Sequence, residues 1–282
     1  MSQSCESRQP VLETQEYSNR TSVVIPYGKL AGDIRRCVVS ALSQTAPAAE
    51  VLVLINGAVN PEYAAHLLED VLNDPKLKLI DARGCTNANQ ARNLGIRLAT
   101  SEWIATLDSD DWWEIDHLEK SFDVVTAKRS HCELIYGSIR IWRSAASQVL
   151  MAEDYRCLGT PENYLLSYRP ASACTYVFTR DLGIKQPWDE SLRRHQDYEW
   201  FARVAKVCQI GVNANPTVNV EWSEERRHKF HADCWRVVSN WRELVDQEAF
   251  RRHHRRLVRS SLLSLDPFAL RLLIEYIRMK RT

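Results

Sequence analysis

The chain has 282 residues, which is enough for one large domain or for a domain with a smaller addition. Its 37 basic and 36 acidic residues leave a formal net charge of +1, so the overall charge favours neither nucleic acid nor an anionic surface as a partner. The sequence has no apolar run of the roughly 18 residues that a membrane-spanning helix needs, and its eight cysteines form no CxxC pair. Because no N-terminal run resembles a secretion signal, we expect a reduced, cytoplasmic protein that does not cross a bilayer.

Strands and helices alternate between residues 21 and 108, after a polar, aperiodic stretch over residues 1–20 that predicts a loose tail. The apolar runs TSVVIP, EVLVLING, KLKLIDA and EWIATLD predict four strands, and the segments between them have helical periodicity. This alternation predicts an α/β fold with a doubly wound, mostly parallel sheet flanked by helices. The residues expected to face the core from the first and third helices are Ile34, Val38, Ala41, Leu42, Ala91, Leu94, Ile96 and Leu98.

The pattern loosens after residue 117. Helices are predicted over 117–129 and 195–207 and strands over 132–142 and 173–182, whereas the turn-rich stretch 144–175 predicts an irregular lid or ligand-facing segment. The C-terminal extension, residues 223–282, is basic and rich in histidine. It ends in an amphipathic helix for which Asp266 is the expected N-cap.

An acidic cluster, TLDSDDWW over residues 106–113, directly follows the fourth predicted strand. On an extended backbone Asp108 and Asp110 would point the same way and could share one cation. Carboxylate oxygens suit hard ions such as Mg²⁺ and Mn²⁺, which also take phosphate oxygens. The alternative is that Asp110 or Asp111 only caps a helix beginning near Trp112.

Five segments, in order and spacing, resemble the family 2 glycosyltransferases of the GT-A fold: SVVIP, SALSQTAP, EVLVLING, ARNLGIRLATSEWIATLDSDDWWEIDHLE and PWDESLRRHQDYEWFARVA. The resemblance covers about residues 21–222 and is most specific in the last two segments. It implies a GT-A-type domain with a nucleotide-sugar-binding half, residues 21–116, and an acceptor-binding half, residues 117–222. The helical, basic extension over 223–282 lies beyond it.

The resemblance implies an inverting transfer of a hexosyl or N-acetylhexosaminyl group from a nucleotide-diphosphate sugar, UDP-sugar by default. The acceptor would be a hydroxyl of a saccharide or lipid-linked saccharide, in cell-surface polysaccharide or glycoconjugate synthesis. Asp108 and Asp110 match the family's DxD element, with Asp110 as the ligand of Mn²⁺ or Mg²⁺, and His228 or His231 as a further ligand. Asp197 matches the general base. The residues implied on the donor side are Pro26, Tyr27, Asn56, Arg92, Asn93, Asp108 and Ser109.

Several positions depart from the family pattern or have a second interpretation. Gln196 stands where family members have the first acid of the pair before the helix. Asn56 stands where they usually have an acid that faces the nucleotide base, and Tyr27 lies one place before the family's tyrosine. The identity of the nucleotide is therefore left open. Asp197 could instead be an N-cap, with Glu199 as a rival base. Alternative functions are a catalytically silent sugar-nucleotide-binding or saccharide-binding module and a metal-dependent nucleotidyltransferase. The C-terminal helix is expected on its own domain, on a partner or on an anionic membrane surface, and most tryptophans in the core.

Overall fold

The structure is a computed structural model and describes residues 16–28, 33–128, 132–144, 146–222, 232–264 and 266–279. These residues form a nine-stranded sheet with the order β3-β2-β1-β4-β8-β6-β9-β5, and β7 pairs with β6 outside this path. The strands are β1 (Thr21–Tyr27), β2 (Glu50–Asn56), β3 (Leu77–Ala82), β4 (Trp103–Thr106), β5 (Trp112–Trp113), β6 (Leu134–Arg143), β7 (Ala146–Leu150), β8 (Val177–Thr179) and β9 (Ile210–Glu221). The helices are α1 (Ile34–Leu42), α2 (Pro61–Leu67), α3 (Ala88–Leu98), α4 (His117–Lys128), α5 (Pro161–Leu166), α6 (Arg180–Lys185), α7 (Gln196–Val204), α8 (Ala232–Ser239), α9 (Gln247–Leu263) and α10 (Ala269–Met279).

The first four strands are parallel, as the sequence predicts, and β1, β2 and β4 are buried on both faces. Val23 and Ile25 pack into one hydrophobic cluster and Val24 into another on the opposite face, because successive side chains of a strand alternate. Helices α1 and α3 cover these faces. Of the residues predicted to face the core, Leu98 is the exception, since it is exposed at the end of α3.

The second half of the sheet is mixed. Strand β8 runs antiparallel to β4 and β6, whereas β6 and β9 are parallel. The sequence did not reveal β9 or the two-residue strand β5. Trp112 and Trp113 pair with Asn219 and Val218 of β9, so the helix expected near Trp112 begins only at His117.

The end of the predicted tail belongs to the fold. Tyr17 stacks on Phe122 with ring centroids 5.6 Å apart and meets Trp103 edge-on at 6.0 Å. Residues 1–15 lie outside the described residues.

The C-terminal helices pack on the same domain. Val238, Trp241 and Phe250 join the hydrophobic cluster that contains Tyr164 and Trp200. Helix α10 packs on α9 through Leu257, Val258 and Leu272. The Asp266 carboxylate accepts a hydrogen bond from the Phe268 N–H at 2.8 Å, near the predicted start of the last helix. In the part of the chain that the structure describes, no helix is long and apolar enough to span a membrane.

Gly95 permits the close approach of α3 to the sheet. A Cβ at this position would lie 2.5 Å from Val24 Cγ1 and 3.0 Å from Leu54 Cδ2. We therefore expect Gly95→Ala to lower the free energy of unfolding by about 1–2 kcal/mol in urea titrations, because overpacking outweighs the gain in helix propensity. Gly84→Ala is the matched control, since nothing lies within 4 Å of its added Cβ. Equal stability of the two variants would contradict this packing.

Candidate active site

The candidate site lies where the parallel strands β1, β2 and β4 end together, the edge at which α/β sheets bind ligands. After Thr106 the chain turns instead of continuing as a strand, and the Asp111 N–H donates to the Asp108 carbonyl at 3.0 Å. The expectation that Asp108 and Asp110 align on an extended backbone is therefore wrong. The turn folds the chain back and so brings the carboxylates of Asp108, Asp110 and Asp111 together.

The three acids of this turn have different environments. Asp108 and Asp110 are partly exposed, whereas Asp111 is only 4% exposed and accepts a hydrogen bond from the Glu221 N–H at 3.2 Å. Burial raises the pKa of Asp111 well above its ordinary value, and the charges of Asp110 and Asp108 raise it further. The turn therefore holds more negative charge than it can easily accommodate, which favours a cation beside it.

Arg92 of α3 joins the acidic turn to the start of α7. Its side chain is 3% exposed, and its guanidinium donates to Asp108 Oδ1 at 2.5 Å and to Gln196 Oε1 at 3.3 Å. The guanidinium carbon lies 4.7 Å from the ring centre of Trp188, which is itself stacked on Trp200. A buried charge needs such partners because an unpaired one is costly. Arg92 therefore does not lie on a solvated face of α3.

Amide side chains of α3 hold this helix against the loop that precedes α7. Asn93 Nδ2 donates to the Trp188 carbonyl at 3.0 Å and to Glu190 Oε1 at 2.9 Å, while Asn93 Oδ1 accepts from the Trp188 N–H. Asn89 Nδ2 donates to the Asp189 carbonyl at 2.7 Å. The Asn93 amide is therefore engaged inside the protein, and it acts on the site by fixing the position of Arg92.

Asp197 lies in the first turn of α7, beside the same arginine. Burial, with a smaller contribution from the charge of Asp108, raises the pKa of Asp197 to about 6. The Tyr198 N–H, which donates to Oδ1 at 3.0 Å, and the charge of Arg92 oppose this rise. The Tyr176 hydroxyl donates to the Asp197 carbonyl at 3.3 Å and so links this turn to the segment beside β4. A carboxylate that is half ionised near pH 6 is suited to accept a proton.

The positions expected on the donor side differ in how deeply their side chains are buried. Tyr27 is 2% exposed and packs in the core, and Pro26 is also buried. Asn56 ends β2, and its buried Oδ1 has no hydrogen-bond partner among the described residues. Ser109 is partly exposed within the acidic turn. Among the donor-side positions, Asn56 thus presents an unpartnered polar atom and Ser109 a partly exposed side chain.

A metal at this edge would need ligands beyond those that the described residues supply. The described residues contain no group of three or more His, Cys, Asp or Glu side chains that could hold a metal ion. His228 and His231, considered as ligands from the sequence, lie outside the described residues. The oxygen donors of the turn fit a hard ion that also binds phosphate oxygens, as Mg²⁺ and Mn²⁺ do.

Sequence reasoning missed the partners that organise these motifs. Asp111 contributes the buried third carboxylate, and Trp188, expected in the core, lies directly beneath the Arg92 guanidinium. The adjacency of Asp110 and Asp111 in the sequence was a signal that Asp111 belongs to the acidic site. No local signal existed for the contact between Trp188 and Arg92, since 96 positions separate the two residues in the sequence.

Fold and site together define an α/β domain with carboxylates gathered at the carboxyl edge of its sheet, an arrangement suited to a metal-bound phosphorylated ligand. Residues 22–144, which are less than half of the chain, match the family model "Glycosyl transferase family 2", and this part of the chain is a family 2 glycosyltransferase segment. The resemblance inferred from the motifs is confirmed.

Two curated relatives match part of the chain. The amylovoran biosynthesis glycosyltransferase AmsB of Erwinia amylovora is 28% identical over 139 residues, which are 47% of this chain and 46% of that protein. The uncharacterized glycosyltransferase YibD of Escherichia coli K12 is 33% identical over 96 residues, which are 33% of this chain and 27% of that protein. The matches thus span less than half the length of either relative.

A solved structure matches nearly the whole chain. TarS residues 1–349 of S. aureus, in complex with UDP, aligns with a TM-score of 0.59 and 16% identity over 93% of this chain and 89% of that chain. At this identity the likeness concerns the fold. It confirms the GT-A-type α/β fold expected from the sequence.

The bridge formed by Arg92 predicts a measurable shift at Asp197. In Arg92→Gln we expect the pKa of Asp197 to rise above about 6, because a positive charge that stabilises the carboxylate is lost. The measurement is a carboxyl ¹³C NMR titration. Arg97→Gln, on the exposed side of the same helix, should leave the titration unchanged. An unshifted Asp197 in Arg92→Gln would show that the two residues do not interact in solution.

Proposed function

We propose that the chain is an inverting, metal-dependent glycosyltransferase that moves a sugar from a UDP-sugar to a hydroxyl of a saccharide or lipid-linked acceptor. The observation that supports this most directly is the Arg92 side chain, which contacts Asp108 and Gln196, 88 positions apart, and so joins the two acidic motifs. One motif supplies oxygen ligands for a cation. The other supplies a carboxylate whose pKa suits a base.

On the donor side the chain would supply Asp108, Asp110 and the backbone of the acidic turn. Asp110 is the proposed ligand of Mn²⁺ or Mg²⁺, and Asp108, held by Arg92, lies beside it. A divalent ion bound there would neutralise the charge that grows on the leaving diphosphate. Asn56, with its unpartnered buried oxygen at the end of β2, is the proposed contact for the nucleotide base.

On the acceptor side Asp197 is the proposed general base. Its carboxylate would take the proton of the acceptor hydroxyl while that oxygen attacks the anomeric carbon and the bond to the diphosphate breaks. A single displacement of this kind inverts the anomeric centre. Gln196 would keep Arg92 in place without adding a second negative charge beside the base.

The comparisons support a sugar-nucleotide substrate and a role in polysaccharide synthesis. TarS, which shares the fold, is described in complex with UDP, and AmsB is described as an amylovoran biosynthesis glycosyltransferase. The transferred sugar, hexosyl or N-acetylhexosaminyl, belongs to the same proposal.

Removing the proposed metal ligand tests the donor side. We expect Asp110→Ala to lose Mn²⁺-stimulated release of UDP from UDP-sugars by a factor of at least about 100, because one carboxylate ligand is lost. Asp181→Ala is the control, since Asp181 is exposed and pairs with Lys185 at the start of α6. Full activity of Asp110→Ala in chelator would refute the proposal. Binding of UDP-sugar by the native protein without any release of UDP would instead favour the silent binding module.

Replacing the proposed base tests the acceptor side. Asp197→Asn should bind the donor but lose transfer by about 100-fold or more, within the range that general bases contribute. In the native protein kcat/KM should fall as the pH drops below about 6, since protonation removes the base. Glu199→Gln tests the rival base. Glu199 pairs with Arg203 at 2.7 Å, and its replacement should leave the fall of kcat/KM at low pH unchanged. Transfer at a near-native rate by Asp197→Asn would place the base elsewhere.

A further inference from the structure

A ladder of stacked rings extends from Asp197 to the C-terminal extension. The His195 ring stacks on Tyr198 with centroids 4.5 Å apart and lies 5.6 Å from the ring of His253, a residue of α9. Tyr168, from the loop after α5, stacks on His253 with ring centroids 6.2 Å apart. Because Tyr198 directly follows Asp197, this ring ladder (Tyr168, His253, His195, Tyr198) leads from the proposed base to α9.

The histidines of the ring ladder have unused hydrogen-bonding atoms. His253 is 5% exposed, and neither of its ring nitrogens has a hydrogen-bond partner in the described part of the chain. The same holds for Nδ1 of His195. Burial lowers the pKa of His253 to about 3, so the ring is neutral near pH 7 and carries one N–H donor. A buried polar group without a hydrogen-bond partner destabilises the fold. A ligand that hydrogen-bonds to these ring nitrogens would remove this cost.

Two members of the ring ladder have a left-handed backbone. Among the described residues, the non-glycine residues with positive φ are Ser144, Tyr168 at 59° and His195 at 52°. Such conformations are unfavourable for residues with a Cβ and concentrate at functional sites. Two of these three residues, Tyr168 and His195, therefore belong to the ring ladder.

The surroundings of the ring ladder are positively charged. The guanidinium carbon of Arg256 lies 3.8 Å from the ring centre of Tyr168, and that of Arg252 lies 6.0 Å from it. Within the described residues, neither arginine forms an ion pair with a carboxylate. Helix α9 carries five arginines and one glutamate, so this side of the site attracts anions.

We propose that Arg252, Arg256 and His253 form an acceptor-side subsite for an anionic group, a phosphate or a carboxylate, carried by the acceptor near the hydroxyl that receives the sugar. This rests on the proposed function, because it takes Asp197 as the base beside the acceptor. Arginine forks and an imidazole N–H are donors, and oxyanions accept from both. The C-terminal extension would thus take part in substrate recognition.

Binding of simple anionic sugars to the full chain tests the subsite directly. With UDP and Mn²⁺ in excess, the probes are glucose 1-phosphate, glucuronic acid and uncharged glucose, titrated by calorimetry. We expect at least one anionic probe to bind about tenfold more tightly than glucose, and its identity separates a phosphate from a carboxylate. The double variant Arg252→Gln/Arg256→Gln should lose this preference. Arg251→Gln should retain it, because residue 251 lies on another side of α9.

Substitution of the histidine separates binding from a structural role. His253→Phe keeps an aromatic ring and removes both unpartnered nitrogens, so we expect an unchanged or higher melting temperature together with several-fold weaker binding of the anionic probe. Equal binding of charged and uncharged probes, or equal losses in the double variant and Arg251→Gln, would overturn the subsite. Anion binding that depends on Arg252 and Arg256 while UDP with Mn²⁺ does not bind would retain the subsite and refute the donor assignment.

Discussion

The site depends on the buried charge of Arg92. A guanidinium at 3% exposure is tolerated only because Asp108 balances it, Asn89 and Gln196 accept its N–H groups and Trp188 packs against its face. These partners come from four different segments of the chain. Placing one charge in the interior therefore brings the acidic turn, the third helix and the loop before α7 into a single arrangement.

The parallel strands make this arrangement possible. Since β1, β2 and β4 end at the same edge, the residues that follow them meet without any local sequence pattern to guide them. The close approach of α3 at Gly95 brings Arg92 to that edge, and the amides of Asn89 and Asn93 then fix the opposite loop. Backbone packing thus determines where the charged groups lie.

Local sequence patterns were sufficient to predict part of the fold and of the site, but not all of it. Short apolar runs predicted β1, β2, β3 and β4, and the motif resemblance drew attention to Asp108, Asp110 and Asp197. Strands β5 and β9 escaped because pairing between distant segments defines them, as in the contact of Trp113 with Val218. The burial of Tyr27 and the interior role of Asn93 also follow from tertiary packing. A position in a motif does not determine which way its side chain faces.

The amide at position 196 changes how the site exchanges protons. Two adjacent carboxylates would titrate as a coupled pair with two macroscopic steps, and neither step could be assigned to one residue. Glutamine carries no ionisable proton, and its Oε1 contact with Arg92 does not depend on pH. Asp197, with a pKa of about 6, therefore has no ionisable neighbour at position 196, which makes its titration a reporter of the electrostatic field at the sheet edge.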